Sequence, residues 1–379
     1  MSVSSGARAA SVSNTTSSTA SWSMFGYNAR HTHFNPHENI LGDSNLGKLS
    51  PGLIFHTGSV IGSSAAEVNG ILYFGSNDGN LYAVNTSLGK KVWSFHLPFG
   101  IVESSPAVVN GVVYFGEANE TFSAHLYALK ASTGAKLWSF ATGGNIDSSP
   151  AVVNGVVYVG SNDGKLYALK ASTGAKLWSF ATGGLDYSSP AVANGIVYIG
   201  SGDGNVYALN ANTGAKVWSF TTGAGINSSP AVANGAVFIG SSNGSLYALN
   251  ASTGAKLWSF ATGNTIDDAS PAVFRGYVFI GAGDGYLYEL LTASGRMIWK
   301  SNAGSFIQSS PTVANDVIYV GTQNDDVEAF NIIDGYMMWS ANTGSPLYLQ
   351  GISSSPIVVN GTIVIGSRSG TLNTYCLCG

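Results

Sequence analysis

Short apolar stretches rich in Val, Ile, Tyr and Phe alternate along the chain with turn-forming pairs that contain Gly, Asn or Asp. In "SPAVVNGVVYVGSNDGKLYALKASTGAKLWSF" at 149–180, three such pairs separate four apolar stretches, namely Asn154-Gly155, Asp163-Gly164 and Thr173-Gly174. Asn-Gly is the preferred dipeptide of a two-residue hairpin turn. The unit shows no helical periodicity. The pattern therefore predicts an all-β unit, a four-stranded antiparallel meander.

This unit recurs along the chain in eight copies. Its tryptophan returns about every 40 residues, at 93, 138, 178, 218, 258, 299 and 339, and "ASTGAKLWSFATGG" at 131–144 is repeated letter for letter at 171–184. Four-stranded units with a period of about 40 residues are typical of a β-propeller. We therefore predict an eight-bladed β-propeller. The small residues of "SSPAV" suit the crowded innermost strands, and the tryptophans suit the gaps between blades near the rim.

The two ends of the chain complement each other. The last copy stops one strand short, whereas "PGLIFHTG" at 51–58 matches "KLWSFATG" with Leu53 in the place of the tryptophan. We expect residues 51–57 to pair with 371–377 as the outer strand of the last blade, which leaves no open sheet edge. The predicted organisation is a Ser/Thr-rich tail at 1–20, a lead-in segment at 21–50 and the eight-bladed propeller at 51–379.

The unit resembles a known repeat. "ASTGAKLW" followed by "SSPAVVNGVVYVGSNDGKLYAL" is similar to the pyrroloquinoline quinone (PQQ) repeat of a β-propeller family that includes quinoprotein alcohol dehydrogenases and outer-membrane assembly lipoproteins of the BamB type. "SWSMFGYNARHTHFNP" is similar to the segment before the first blade of the dehydrogenases. The resemblance covers residues 22–379. It indicates the fold, but the repeat itself carries no chemistry.

The composition limits the partners and the cellular location to be expected for the protein. Only 9% of the residues are charged and the net charge is −4, so no basic patch favours a nucleic-acid partner. No apolar run has the length of a membrane span. A charge-poor surface suits an extracytoplasmic location, although 1–20 lacks the apolar core of a signal peptide. Cys376 and Cys378 are expected to be free or loosely paired thiols, since no further metal ligands lie near them.

Candidate site residues are those at which matching copies differ. The residue three before each marker proline is acidic at Glu103, Asp147 and Asp268, and the preceding position, Ile or Val in six copies, is Asp186 or Asp267 in two. Strand alternation brings an enlarged turn of the second copy to the same face, with Glu117, Glu120 and His125. We predict an acidic mouth of the axial channel that binds a ligand or ion. The alternative interpretation is a set of solvated loop residues.

The acidic residues bear on metals and cofactors. Carboxylate oxygens suit calcium, which we assign to Glu120, Asp147 and Asp268. The resemblance implies that Glu120 or Glu117 matches the glutamate that holds calcium beside the quinone in the dehydrogenases. However, the chain lacks the adjacent cysteine pair of many of these dehydrogenases. It also lacks convincing matches for their catalytic Asp and calcium-binding Asn, and it has few Lys and Arg residues to bind the carboxylates of the quinone. Bound PQQ is therefore not expected.

Two classes of function remain open. The first is a non-catalytic extracytoplasmic propeller that acts as a rigid binding scaffold or a self-assembling surface protein, with partner contacts on the acidic loop face. The alternative is an enzyme of the same propeller type. It would be a divergent quinoprotein dehydrogenase with PQQ and calcium, or an acid-adapted hydrolase similar to tetrathionate hydrolases.

Overall fold

The protein folds as an all-β, eight-bladed propeller, as the repeat predicts. The computed structural model describes residues 21–98, 100–119, 124–344 and 351–378. Within them, eight four-stranded antiparallel sheets are arranged so that the innermost strands of neighbouring blades lie side by side. The predicted tail at 1–20 lies outside the described residues. No helix in the described ranges is long and apolar enough to cross a membrane.

Each blade runs from an inner to an outer strand. The first four blades comprise Ala66–Val68, Ile71–Gly75, Asn80–Asn85 and Lys90–His96; Ala107–Val109, Val112–Gly116, His125–Lys130 and Lys136–Ala141; Ala151–Val153, Val156–Ser161, Lys165–Lys170 and Lys176–Ala181; and Ala191–Ala193, Ile196–Gly200, Asn205–Asn210 and Lys216–Thr221. The next three comprise Ala231–Ala233, Ala236–Gly240, Ser245–Asn250 and Lys256–Ala261; Ala272–Phe274, Tyr277–Gly281, Tyr286–Leu291 and Met297–Asn302; and Thr312–Ala314, Val317–Gly321, Asp326–Asn331 and Met337–Asn342. Blade 8 comprises Ile357–Val359, Thr362–Gly366, Thr371–Cys376 and, from the other end of the chain, Ser50–His56. Gly100–Ile101 and Ala118–Asn119 form a separate two-stranded ribbon.

The tight turn between the first two strands of a blade follows the predicted chemistry. Asn154 and Gly155 have φ values of 50° and 77°. Both lie in the left-handed region, as a type I′ hairpin turn requires. Asparagine tolerates this region better than most residues and glycine adopts it without strain. The dipeptide therefore fixes the register between inner strands.

Tryptophans seal the gaps between neighbouring blades, which we call seams. Trp178 of blade 3 donates its Nε1–H to the Ala211 carbonyl oxygen of blade 4 at 3.0 Å. Tyr158, also in blade 3, donates its hydroxyl to the same oxygen at 3.1 Å. Both side chains are buried. The seam between blades 3 and 4 thus combines a large apolar ring with a satisfied hydrogen bond, and recurrence of this arrangement explains why the "KLWSF" stretch is repeated almost unchanged in several blades.

The chain closes as predicted. Ser50–His56 is antiparallel to Thr371–Cys376, with Ser50 opposite Cys376 and His56 opposite Thr371. The register shifts between Pro51 and Ile54. Cys376 and Cys378 are joined in a disulfide. The outer edge of the last blade is therefore covered by the N-terminal strand.

The lead-in segment crosses one end of the axial channel. Its backbone carbonyl groups accept hydrogen bonds from the inner strands of one blade after another, and the donors are the N–H groups of Glu67, Val108, Val192, Val232, Val273 and Val313. Phe34–Asn35 lies parallel to the inner strand of blade 7. Beyond it, Leu46–Lys48 forms one turn of 3-10 helix, and Leu41 and Leu46 are buried. The segment therefore belongs to the folded core.

Candidate functional site: the axial mouth

A closed ring of serines surrounds the axis. The backbone N–H of each serine donates to Oγ of the serine in the next blade at 2.8–3.0 Å, through Ser64, Ser105, Ser149, Ser189, Ser229, Ser270, Ser310 and Ser355. These are the second serines of the repeated Ser-Ser-Pro marker, with Ala269-Ser270 in blade 6. Each hydroxyl oxygen accepts one bond, so its own O–H can turn to donate towards the channel.

The mouth of the channel is a funnel with a volume of about 590 Å³. Glu103, Asp147 and Asp268 line its wall, together with Tyr187 and Arg368. Phe25 of the lead-in segment forms its floor. The funnel thus collects three carboxyl groups and one guanidinium group over an aromatic base.

The floor is uncharged. The rings of His31 and His33 pack edge-on against Phe25, with centroids 5.2 and 5.0 Å away. Both histidines are buried. Burial lowers the pKa of each to about 3, because the charged imidazolium would lose its water. The two histidines are therefore neutral near pH 7 and contribute no positive charge to the funnel.

Turn residues hold two of the three carboxyl groups in place. Asn77 donates its side-chain amide to Oε1 of Glu103 at 2.9 Å. Asn162 donates in the same way to Oδ2 of Asp147 at 2.7 Å. Both asparagines stand at the same position of the repeat, in the turn after the second strand. The repeat therefore supplies a side-chain donor to two of the three acidic residues at the mouth.

The environment of the funnel raises the affinity of two carboxyl groups for protons. Partial removal from water raises the pKa of Asp147 to about 6, the charge of Glu103 adds to this, and the bond from Asn162 opposes it. The pKa of Asp268 is also raised, mainly because the carboxylate is partly removed from water and also by the charge of Asp267, whereas the charge of Arg368 lowers it. Asp268 lies at the open rim, where solvent weakens these effects. An external cation would relieve this repulsion between carboxylates.

Asp186 lies away from the funnel, contrary to its expected place at the mouth. It is buried in the position that isoleucine occupies in other blades, and its Cβ would contact a side chain placed on Gly160. Thr182 donates its hydroxyl to Oδ2 at 2.8 Å. Burial raises the pKa of Asp186 to about 7 in spite of that bond. Its side chain packs in the seam between blades 3 and 4 because the backbone there has the geometry of the isoleucine copies.

Asp267 lies beside the funnel for a different reason. Ile266 is fully buried and keeps the isoleucine position of blade 6, so the turn before Ser270 carries one extra residue. Counting back from the proline therefore misaligns this copy. Asp267 lines a smaller cavity of about 270 Å³, which it shares with Asp268, Phe306 and Gln308.

Glu117 is engaged within its own blade. Oε2 accepts bonds from the His125 backbone N–H at 3.2 Å and the Tyr127 hydroxyl at 3.3 Å, and it lies 3.1 Å from Nδ1 of His125. Glu117 is buried and does not line the axial funnel. Glu120 lies outside the described residues. Of the predicted acidic set, the structure thus brings together Glu103, Asp147 and Asp268.

The described residues do not form a site for calcium or for a quinone. No three His, Cys, Asp or Glu side chains among them come together in a group that could hold a metal ion. Within the same part of the chain, Arg368 is the one Lys or Arg that lines the funnel, against three carboxyl groups. A quinone that bears carboxylates would be repelled by this balance of charge. The lining of the funnel therefore does not fit PQQ.

Several residues at the mouth escaped the sequence analysis. The serine ring had a visible signal, since the second serine of the marker is present in every copy. Tyr187 stands three residues before the marker proline of its blade, the position of Asp147 in the preceding blade. Phe25 and Arg368 gave no signal, because their place depends on how the two ends of the chain meet the ring.

Comparisons with known proteins agree with this architecture. A family model described as outer membrane protein assembly factor BamB matches residues 22–182, 181–269 and 265–375. A search of curated proteins found no match.

Three solved structures illustrate the likeness of fold. BamB from Moraxella catarrhalis is 20% identical, with a TM-score of 0.72, over 86% of this chain and 97% of that one. A europium-containing methanol dehydrogenase is 14% identical, with a TM-score of 0.82, over 94% and 98%. The quinohemoprotein alcohol dehydrogenase from Comamonas testosteroni is 15% identical, with a TM-score of 0.81, over 95% and 81%. At these identities the likeness shows the fold alone.

Proposed function

Since the chain belongs to the family described as outer membrane protein assembly factor BamB, we propose that it is a non-catalytic, extracytoplasmic binding scaffold. Its partner contacts lie on the acidic loop face, at the axial funnel. The propeller is a rigid disc, and the funnel accepts a cationic group that a protein partner presents. Low charge on the remaining surface supports a location outside the cytoplasm.

The charge balance of the funnel is the observation that carries this proposal. Glu103, Asp147 and Asp268 come from blades 2, 3 and 6 and are set against Arg368 alone among the lining residues. Carboxylates on different blades suit an extended cation such as a lysine or arginine side chain better than a compact ion. Calcium stays in the proposal through Glu120, which would add a carboxylate to Asp147 and Asp268.

Binding of a cation depends on the ionised carboxylates, so its pH dependence has a defined sign. The raised pKa of Asp147, about 6, means that this group takes up a proton as the pH falls through that value. We therefore expect affinity to be highest above pH 7 and to weaken below pH 6. Binding near pH 6 should release protons, which calorimetry in buffers of different ionisation enthalpy measures.

The test is calorimetric titration at pH 7.5 with two probes, a pentalysine peptide and calcium chloride. We expect binding of at least one probe in the wild type and a roughly 10-fold or greater loss in Asp147→Asn/Asp268→Asn, because removal of partners of a charged group costs about 1.5–3 kcal/mol. Asp43→Asn/Asp334→Asn is the matched control. It changes the net charge equally at two exposed positions outside the funnel.

The outcomes separate the alternatives. Equal heats for the wild type and both double variants would contradict the funnel as the binding site. A loss confined to pentalysine supports a cationic segment of a protein partner as the ligand, and a loss confined to calcium supports an ion site at Asp147 and Asp268. Self-association is tested separately, by comparison of the mass of the full chain with that of a form lacking residues 1–20.

The enzyme alternative rests on the shared propeller type. It comprises a divergent quinoprotein dehydrogenase or an acid-adapted hydrolase similar to tetrathionate hydrolases. The absorption spectrum of the protein purified from its native source tests the first form. A quinone chromophore that persists through gel filtration would contradict a non-catalytic role.

A further inference from the structure

The seam between blade 8 and blade 1 differs from the six seams that join blades 1 to 7. In six seams of the described chain a tryptophan donates its Nε1–H to a backbone carbonyl of the next blade at 2.8–3.3 Å; the donors are Trp93, Trp138, Trp178, Trp218, Trp258 and Trp299. In four of these a tyrosine hydroxyl reaches the same oxygen, from Tyr73, Tyr114, Tyr158 and Tyr198. The usual seam is thus filled by a ring that donates to a buried acceptor.

Three substitutions open the seam at which the chain closes. Leu53 stands in place of the tryptophan and Val364 in place of the tyrosine. The equivalent acceptor is the carbonyl group of Thr86, whose own N–H is bonded to the hairpin glycine Gly70 as in the other blades. Neither Leu53 nor Val364 carries a donor, so the two side chains that serve this carbonyl elsewhere are replaced by aliphatic groups.

The third substitution adds a carboxyl group. Glu67 occupies the inner-strand position that is valine in most blades, and it is only 3% exposed. Its Oε1 accepts a bond from the Gly70 N–H at 2.7 Å, whereas Oε2 has no hydrogen-bond partner among the described residues. A buried carboxyl oxygen without a partner is costly for a fold, so its presence beside a cavity points to a ligand.

These residues line one cavity, the seam pocket, with a volume of about 270 Å³. Leu53, Val364, Glu67 and Thr86 all contribute to its wall. Exposed Gly52 and Cys378 lie at its edge, so solvent reaches it from the rim of the disc. The volume is just below the range of about 300–1,000 Å³ for drug-sized ligands, which suits a small ring.

We propose that the seam pocket binds an indole ring, whose N–H donates a hydrogen bond to one of the acceptors of this seam, the carbonyl oxygen of Thr86 or Oε2 of Glu67. The ring takes the place that tryptophan fills in the repeat, between aliphatic walls. Gly89 lies against Leu53 as Gly134 lies against Trp93, so Leu53 stands where the repeat places its tryptophan. The ligand is free indole or the side chain of a tryptophan on another polypeptide.

The test is a ¹⁹F NMR titration of the whole protein with 5-fluoroindole. We expect saturable binding to the wild type. Leu53→Trp fills the pocket with the residue that the repeat uses, and we expect at least a 10-fold loss of affinity. Leu257→Trp is the matched control, because it makes the same change at an exposed outer-strand position of blade 5 and should bind like the wild type.

A second probe tests the same proposal with the wild-type protein, so the result does not depend on whether Leu53→Trp folds. The N-methyl derivative of 5-fluoroindole keeps the ring and lacks the donor, and we expect it to bind the wild type roughly 5- to 10-fold more weakly, as loss of a hydrogen bond to a buried acceptor predicts. Equal affinity of the two probes, or equal binding to a folded Leu53→Trp variant, would overturn the proposal. Competition by the peptide Gly-Trp-Gly would identify a polypeptide source, and failure to compete would identify a free small molecule.

Discussion

Deletion of residues 1–60 is expected to abolish the soluble monomer. The deletion removes Ser50–His56, so the edge of Thr371–Cys376 loses its partner strand. It also removes Trp22, Leu41 and Leu46 from the core. An unpaired edge strand beside exposed apolar surface promotes association between chains. Size-exclusion chromatography with light scattering should show aggregates and no cooperative thermal transition.

Two shorter deletions serve as controls for this result. Removal of 1–20 takes away none of the described contacts and should leave the melting temperature unchanged. Removal of 1–48 keeps the closing strand but loses the lead-in segment. We expect it to stay monomeric with a lower melting temperature. A monomeric 1–60 deletion that melts like the wild type would contradict closure by the N-terminal strand.

Glu328→Gln is expected to stabilise the protein at pH 8 and to have little effect at pH 5. Glu328 stands where most blades carry a tyrosine and is 5% exposed, and Oε2 has no partner among the described residues. Burial raises the pKa of Glu328 to about 8, and the charge of Asp326 adds to this. The opposing ring is also missing, because Ser301 replaces the phenylalanine found at Phe260 of blade 5.

The sign follows from proton linkage. A carboxyl group with a raised pKa in the folded state binds more protons folded than unfolded between its two pKa values, so stability falls as the pH rises through that range. For Glu328 the range runs from the ordinary value of 4.5 to about 8. The difference between variant and wild type should therefore grow by roughly 2–3 kcal/mol from pH 5 to pH 8.

Urea unfolding at the two pH values measures this difference. His31 and His33, with lowered pKa values, act in the opposite direction below pH 6.5, but they are common to both proteins and cancel in the comparison. The matched control is Asp43→Asn, at an exposed carboxyl group. A pH-independent difference for Glu328→Gln would contradict the prediction, because it would mean that the pKa of this carboxyl group is the same in the folded and unfolded states.

The fold was predictable because its signals are local and occur in every copy. Hairpin dipeptides such as Asn154-Gly155 fix each meander, and the period of the tryptophans counts the blades. The match between 51–58 and the outer strands predicted the closure, and the structure confirms it. Each of these features depends on a few neighbouring residues.

The site was less predictable because it depends on positions at which single copies depart from the repeat. Asp186 was aligned correctly, but its side chain is buried in a seam, which no count along the chain reveals. Asp267 is an inserted residue, and the insertion is visible only once Ile266 is seen in the isoleucine position. The lead-in segment, which places Phe25 at the floor of the funnel, is attached to the inner strands by backbone hydrogen bonds, and these leave no pattern of side chains in the sequence.

Near-identical repeats make the number of blades vulnerable to recombination, because an exchange between 131–144 and 171–184 would delete one 40-residue copy without disturbing any turn. The closing strand would still pair after such a loss, since it is hydrogen-bonded only to the final blade. The lead-in segment would be affected, because the residues between Trp22 and Asn35 span a fixed series of inner strands. A shortened gene would yield a ring of smaller circumference in which this segment no longer meets its partners in register. We therefore expect loss of one copy to break contacts of the lead-in segment, which favours retention of all eight copies.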